Sequence, residues 1–325
     1  MKAAIYRRYG PPEVARIQHV AKPIPKDDEI LVRIHATTIC SMDWRLRKAD
    51  PFLVRLLNGL WRPTKIRVLG RELAGKVVSV GKNVTRFRPG DDVFGGSVNF
   101  GAHAEYVCVP AEGGAIAVMP DNMRYEEAAG VRVGATSALH FLRKANVQVG
   151  QQVLVYGASG SVGTFAVQLA KHFGAHVTGV CSAANLDLVK SLGADAVVDY
   201  TREDFSKAGR FYEVVFDTVG KSGFSRAMKS LRRGGAYVQV AGVGPLWMLR
   251  AVLASSTGAA KVFGGMASGQ PGDMAFLKRL IEARALRTVI DRRYCLEQVA
   301  DAYRYVEAGH KKGNVILVIR QSDDA

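Results

Sequence analysis

The chain has 325 residues, enough for about two domains of ordinary size. Its 48% hydrophobic and 23% charged residues exclude a disordered or collagen-like chain. Lys and Arg outnumber Asp and Glu by 45 to 29, a formal net charge of +16. The cations are nevertheless spread in ones and twos (Arg7-Arg8, Arg232-Arg233, Arg292-Arg293, Lys311-Lys312). No basic run is interleaved with aromatics that could stack bases, so a solvated basic surface is a better reading than a nucleic-acid partner. Such a field would still attract phosphate-bearing ligands.

Cys40, Cys108, Cys181 and Cys295 form no C-x-x-C pair. That excludes a disulfide scaffold and a four-cysteine zinc lobe, and it fits a reducing compartment. No stretch reaches the ~18 consecutive apolar residues of a membrane span. The longest, Ala236 to Leu249, is interrupted by Gln239 and Pro245. The N-terminus has no apolar signal core, so a cytoplasmic protein is expected.

Along the chain, residues 1–122 read as β-rich. Short alternating or β-branched runs (Ile30–Ala36, Lys76–Val80, Ala104–Pro110) are separated by turn signals such as Arg88-Pro89-Gly90-Asp91. Irregular helical turns are predicted over Asp43–Leu60. A helix is predicted over Tyr125–Ala145, acidic at its start and basic at its end. Strands at Gln152–Tyr156, His176–Val180, Ala196–Val198, Glu213–Asp217 and Ala236–Ala241 then alternate with helices at Val162–Phe173 and Leu186–Leu192 and one more before the last strand. This alternation predicts a doubly wound parallel sheet over 123–287. Residues 288–325, with a helix at Leu296–Ala308 and a strand at Val315–Ile319, leave the alternation. They are expected to pack back on the first part, so that the α/β domain is inserted in the β-rich one.

The strongest motif follows the Gln152 strand: Gly157-Ala158-Ser159-Gly160-Ser161-Val162-Gly163, leading into a helix. Gly160 lets backbone approach a pyrophosphate, Gly163 lets the helix pack on the strand, and the helix start supplies N–H groups and positive dipole. The pattern is A-x-G-x-x-G, and its strand-turn-helix context points to a Rossmann dinucleotide site. The second strand ends Val180-Cys181-Ser182-Ala183-Ala184-Asn185 without the acid that usually binds the ribose of NAD. A carboxylate would repel a 2′-phosphate, so NADPH is expected over NADH, with Ser182, Asn185 and Tyr200 as its hydrogen-bonding partners.

These residues resemble the medium-chain dehydrogenase/reductase superfamily, and within it the zinc-free, zeta-crystallin-like quinone oxidoreductase branch. The nearest group there contains NAD(P)-dependent alcohol dehydrogenases and the reticulon-interacting mitochondrial reductase. The likeness spans nearly the whole chain: 68–75, 80–94, 157–163, 192–195, 214–220 and 307–315 all carry it. It implies a GroES-like β domain around a Rossmann domain. Zinc relatives use a Cys, a His in Gly-His-Glu and a further Cys or Asp. Here Cys40 keeps the first ligand, Arg71 stands in place of the His, and Val133 stands at the third position. No catalytic zinc is expected.

By the resemblance, Arg71, Cys40 and Asp43 line the substrate cleft between the domains. Arg71 would polarise a carbonyl oxygen or, equally, would pair with Glu72 or Asp43. Trp44 and Phe100 are candidate walls for a flat apolar substrate, and His103 reads as structural. Thr136 would lie near the nicotinamide or phosphates, with Val219-Gly220 and Ala241-Gly242 flanking the nicotinamide. The function expected is NADPH-dependent reduction of a quinone, an α,β-unsaturated carbonyl or an aldehyde. Alternatives are an NAD(P)-dependent alcohol or aldehyde dehydrogenase and a cofactor-binding protein with a structural or RNA-binding role. A homodimer is implied by family analogy.

Overall fold

The computed structural model describes residues 1–97, 99–207, 209, 211–270 and 272–320. The chain opens with a hairpin, β1 (Lys2–Tyr6) antiparallel to β2 (Ala15–His19). Then come β3 (Glu29–Ile39), α1 (Ser41–Lys48), α2 (Val54–Asn58), β4 (Glu72–Val80), β5 (Asp92–Gly96), β6 (Tyr106–Pro110) and β7 (Ile116–Val118). The single helix predicted over 125–145 is two, α3 (Tyr125–Ala129) and α4 (Arg132–Lys144). Gly130 ends the first, and its N–H turns back to the Glu127 carbonyl at 3.2 Å.

The alternating region follows as β8 (Gln152–Tyr156), α5 (Ser161–His172), β9 (His176–Cys181), α6 (Leu186–Ser191), β10 (Ala196–Asp199) and β11 (Tyr212–Asp217). It continues through α7 (Phe224–Ser230), β12 (Leu231–Gln239), α8 (Pro245–Ser256) and β13 (Lys261–Gly264). The tail holds α9 (Asp273–Glu282), β14 (Ile290–Cys295), α10 (Val299–Glu307) and β15 (Asn314–Val318).

These elements form two compact units. One comprises Met1–Val133, Pro271–Glu282 and Thr288–Ala325; the other comprises Gly134–Gln270 and Ala283–Arg287. Residues 123–133 and 272–282, placed in the α/β domain by the sequence pattern, lie in the β-rich unit. That unit is a seven-stranded sheet in the order β14-β15-β3-β4-β5-β7, with β6 also paired to β3. The tail strand β15 pairs antiparallel with β3 from Val315↔Ile39 to Val318↔Ala36, which places the C-terminal segment in this sheet. Inside, the buried Arg47 guanidinium bonds the Glu307 carboxylate and the Gly10 carbonyl and lies 5.0 Å from the Tyr303 ring centroid. It thereby joins α1 to α10.

The second unit is a parallel six-stranded sheet in the order β10-β9-β8-β11-β12-β13. This is the doubly wound dinucleotide-binding order, with its reversal between β8 and β11. The central strands read as unbroken apolar runs because both faces are covered: Val153, Leu154 and Val155 are fully buried, as are Val215 and Phe216. No helix among the described residues is long and apolar enough to cross a membrane. Leu154 is 0% exposed at the centre of this sheet. Leu154→Ala should therefore cost about 2–5 kcal/mol in denaturant unfolding, with little change in the slope.

Candidate functional site

In the α/β unit the site is built at the carboxyl ends of β8, β9, β11 and β12. Gly157 leaves β8 with φ +76°, and a Cβ there would lie 2.3 Å from Val219 Cγ2. Gly160 N–H returns to the Gly157 carbonyl at 3.0 Å, and α5 starts at the next residue. A Cβ on Gly163 would sit 2.1 Å from that same carbonyl oxygen. One on Gly160 would meet nothing closer than the oxygen at 3.4 Å. The two glycines thus serve different ends. Gly163 is required by packing within the protein, whereas Gly160 keeps space open at the start of α5. Ser159, Ser161 and Val162 border that space and are partly exposed.

At the end of β9, Asn185 is joined to Ser182 and to Ser159 of the glycine turn, while no such bond reaches the Tyr200 side chain. Asn185 Nδ2 donates to Ser159 Oγ at 3.3 Å and to Ser182 Oγ at 3.1 Å. Each serine oxygen accepts from the amide, so its own O–H is available to a further acceptor. Asn185 Oδ1 is buried and has no hydrogen-bond partner. Tyr200 is 49% exposed, and its N–H donates to the Cys181 carbonyl at 3.1 Å. The same turn holds two charged residues that sequence reasoning missed. Asp199 is held ionised below the usual carboxylate range by the Thr201 N–H and hydroxyl, and exposed Arg202 lies 3.8 Å from it. Both come from the strand beside β9, about 20 residues beyond the serine, where a local scan does not look.

The loops after β11 and β12 are fixed by buried polar groups also absent from the sequence reading. Asp217 Oδ1 accepts from Val219 and Gly220 N–H at 2.9 and 2.7 Å, and Oδ2 from Ser222 N–H at 2.8 Å. Ser222 Oγ meets the Tyr237 hydroxyl at 3.1 Å, and that hydroxyl donates to Gln239 Oε1 at 2.7 Å. Gln239 Nε2 then donates to the carbonyls of Ala241 and Gly242 at 2.9 and 3.2 Å. The positions of Val219-Gly220 and Ala241-Gly242 are therefore coupled. Beside them lies a cavity of about 330 Å³ lined by Gly220, Phe224, Gln239, Gly242, Pro245 and Trp247, among others. Thr136 is partly exposed on α4.

In the β-rich unit, Asp43 is fully buried and spent on backbone: Oδ2 accepts from Cys40 N–H at 2.8 Å and Oδ1 from Gly70 N–H at 2.9 Å. Glu72 accepts from Thr38 Oγ1 and Val133 N–H, both at 2.6 Å, and burial raises its pKa. Neither carboxylate bonds the Arg71 guanidinium. Arg71 lies 5.5 Å from the Phe100 ring centroid, and its buried Nε has no partner. Burial, aided by Asp43, pushes the Cys40 thiol well above its usual pKa. Trp44 and Phe100 are partly buried against the core of this unit. Lys311, not singled out from the sequence, donates from Nζ to the Gly313 carbonyl at 2.5 Å; burial lowers its pKa against the pull of Cys40 and Glu72.

His103 is fully buried, with Nε2 donating to the Thr38 carbonyl at 2.8 Å and Nδ1 accepting from the Tyr303 hydroxyl at 3.0 Å. These residues do not fit zinc. Both Asp43 oxygens are taken by N–H donors, and a cation, Arg71, stands beside Cys40 in place of a second neutral or anionic ligand. Among the described residues no group of His, Cys, Asp or Glu could hold a metal ion.

Two family models match the chain: the alcohol dehydrogenase GroES-like domain over residues 26–121 and the zinc-binding dehydrogenase over 192–317. The chain is 33% identical over 333 residues to 2-methylene-furan-3-one reductase of Solanum lycopersicum, covering 98% of this chain and 79% of that one. It is 31% identical over 336 residues to the chloroplastic NADPH-dependent alkenal/one oxidoreductase of Arabidopsis thaliana, with the same coverage. The solved quinone oxidoreductase of Coxiella burnetii has a TM-score of 0.87 to it at 28% identity, over 98% of this chain and 99% of that one.

Two measurements check this geometry. Gly163→Ala should lower the melting temperature by several degrees, because its methyl meets backbone. Gly160→Ala should leave it unchanged while weakening binding of the nicotinamide dinucleotide at least roughly tenfold by calorimetry. The second concerns His103, whose pKa burial lowers from the ordinary 6.5. The unfolded chain takes up this proton at a higher pH than the native state. The stability held by the neutral imidazole is therefore complete above 6.5 and lost as pH falls below it. Denaturant midpoints should fall more steeply with acid in the wild type than in His103→Gln.

Proposed function

The chain belongs to the quinone oxidoreductase branch of the medium-chain dehydrogenase/reductases, and from that membership we propose that this oxidoreductase is a zinc-independent, NADPH-dependent reductase of α,β-unsaturated carbonyls, quinones or aldehydes. The observation that carries the reading is the open space at Gly160, at the start of α5 and beside the Ser159–Asn185–Ser182 cluster. A relative named as an NADPH-dependent alkenal/one oxidoreductase supports it further.

When bound, NADPH supplies the hydride. The first-turn N–H groups of α5 at Ser161, Val162 and Gly163 would hold the diphosphate. The hydroxyls of Ser159 and Ser182, oriented by Asn185, would meet the 2′-phosphate with Tyr200 and Arg202. Thr136, Val219-Gly220 and Ala241-Gly242 would orient the nicotinamide. Arg71 is the candidate that polarises the acceptor oxygen as charge develops on it. Its carboxylate neighbours are already engaged with other donors, so neither holds its guanidinium. Asp43 would act through the backbone by fixing Gly70 beside Arg71. Trp44 and Phe100 would supply apolar surface, and Cys40 would remain a neutral thiol.

The test follows nicotinamide absorbance with NADPH and a panel of enones, quinones and aldehydes. Turnover is expected, and Arg71→Met should lower kcat by roughly 10²-fold with NADPH affinity unchanged. Ser182→Asp should shift preference toward NADH, because a carboxylate repels the 2′-phosphate. Full activity in Arg71→Met removes its role. Absence of turnover on every acceptor overturns the reductase reading.

A further inference from the structure

Apolar exposure in the β-rich unit is concentrated on one short segment, Pro51 to Trp61, which contains α2. Phe52, Leu53, Leu56, Leu60 and Trp61 are between 44% and 86% exposed, Trp61 the most. Single exposed leucines are ordinary, but a contiguous group of this size marks an interaction surface. The segment is also inside out. Its one amide, Asn58, is fully buried, and its Nδ2 donates to the Tyr6 hydroxyl at 2.8 Å and the Ile66 carbonyl at 3.1 Å. Asn58 Oδ1 accepts from the N–H groups of Ile66 and Lys65 at 2.7 and 3.2 Å. The Tyr9 hydroxyl donates to the Gly59 carbonyl at 2.7 Å, and the Arg55 guanidinium lies 4.9 Å from the Tyr9 ring centroid. Polar groups thus hold the segment on the unit and leave its large apolar side chains outside. Turning those side chains inward would break this set of bonds, so their exposure belongs to the folded state.

The charge around this patch is almost all of one sign. From Trp44 to Arg71 the chain carries eight cations and one acid, Asp50. The acids at either end of that stretch, Asp43 and Glu72, are buried. Arg45, Lys48, Arg62, Lys65 and Arg67 are exposed. Tyr6 N–H donates to the Arg67 carbonyl at 3.0 Å, which brings the exposed Arg7-Arg8 pair alongside. Two acids of neighbouring elements are already paired: Glu13 with Arg304 at 2.6 Å, and Glu307 with the buried Arg47. An apolar centre is therefore surrounded by a cationic rim.

We infer that the Pro51–Trp61 segment docks the protein on an anionic lipid bilayer. Phe52, Leu53, Leu56 and Leu60 would enter the headgroup boundary, and Trp61 would sit at the level where its amphipathic ring is favoured. The rim of Arg and Lys would meet lipid phosphates. Apolar insertion joined to electrostatic attraction binds a membrane surface without crossing it. A second copy of this chain fits less well, because pairing two such patches would bring two cationic rims together. The inference stands on this surface and is independent of the reductase reading.

The full chain is mixed with sedimentable vesicles of phosphatidylcholine alone, or of phosphatidylcholine and phosphatidylglycerol in equal parts. Binding is expected only to the anionic vesicles and should fall as salt is raised. Tryptophan emission should move to shorter wavelength on binding, and Trp61→Phe should lose that shift while still sedimenting. The double variant Leu53→Glu/Leu56→Glu should lose at least roughly tenfold in partitioning, and Arg62→Glu/Lys65→Glu should lose a similar factor. Both double variants should keep the wild-type melting temperature, since only exposed side chains change. Failure to bind anionic vesicles overturns the inference, as does binding that Leu53→Glu/Leu56→Glu retains in full or an emission shift that survives in Trp61→Phe. Self-association that Leu53→Glu/Leu56→Glu abolishes, with no vesicle binding by the wild type, overturns it in favour of a second copy.

Discussion

The α/β unit depends on backbone meeting backbone at the turn after β8. The Gly157 carbonyl accepts from Gly160 N–H at 3.0 Å and from Thr218 Oγ1 at 3.2 Å, while Gly163 presses against it with no room for a side chain. From the other side, the Gly157 and Ala158 N–H groups both donate to the Val180 carbonyl, at 2.9 and 3.0 Å. A single peptide group thus sets the start of α5 relative to β9 and to the loop after β11. Direction matters more than strength here. The helix can present its first-turn N–H groups to an anion only if its axis is held at this angle and distance from the strand.

Buried polar groups do the corresponding work elsewhere, and both units follow one rule. A buried carboxylate is costly unless donors surround it, and here the donors are mostly main-chain N–H groups. Asp217 gathers three of them in the loop after β11; Asp43 gathers two, tying Cys40 to Gly70; Glu72 takes one with a threonine hydroxyl. The carboxylates of the β-rich unit are therefore spent on shape. The guanidinium of Arg71, which lies between two of them in sequence, is bonded by neither.

What could be read from the chain was what is local. The glycine turn, the order of strands and helices, and the return of the tail to the first sheet are carried by short patterns with fixed period. The break at Gly130 was not, because the apolar spacing runs on through it and only the turn of its N–H toward Glu127 reveals the end of a helix. Nor was α8: Pro245 looked like an interruption of an apolar stretch, whereas it occupies the first helical position, where its missing N–H costs nothing. Asp199, Arg202 and Lys311 escaped because their neighbours lie on other strands. The two readings of Arg71 could not be separated by sequence adjacency. They separate only when the acceptors of Glu72 and Asp43 are seen to be occupied.

The raised pKa of Cys40 has a chemical consequence. Unsaturated carbonyls are Michael acceptors, and a thiolate within their reach would be alkylated and the protein inactivated. Burial and the nearby Asp43 charge suppress that thiolate, and the neutral thiol is a poor nucleophile. A sulfur atom buried in this way is a poor target for any electrophile that reaches it.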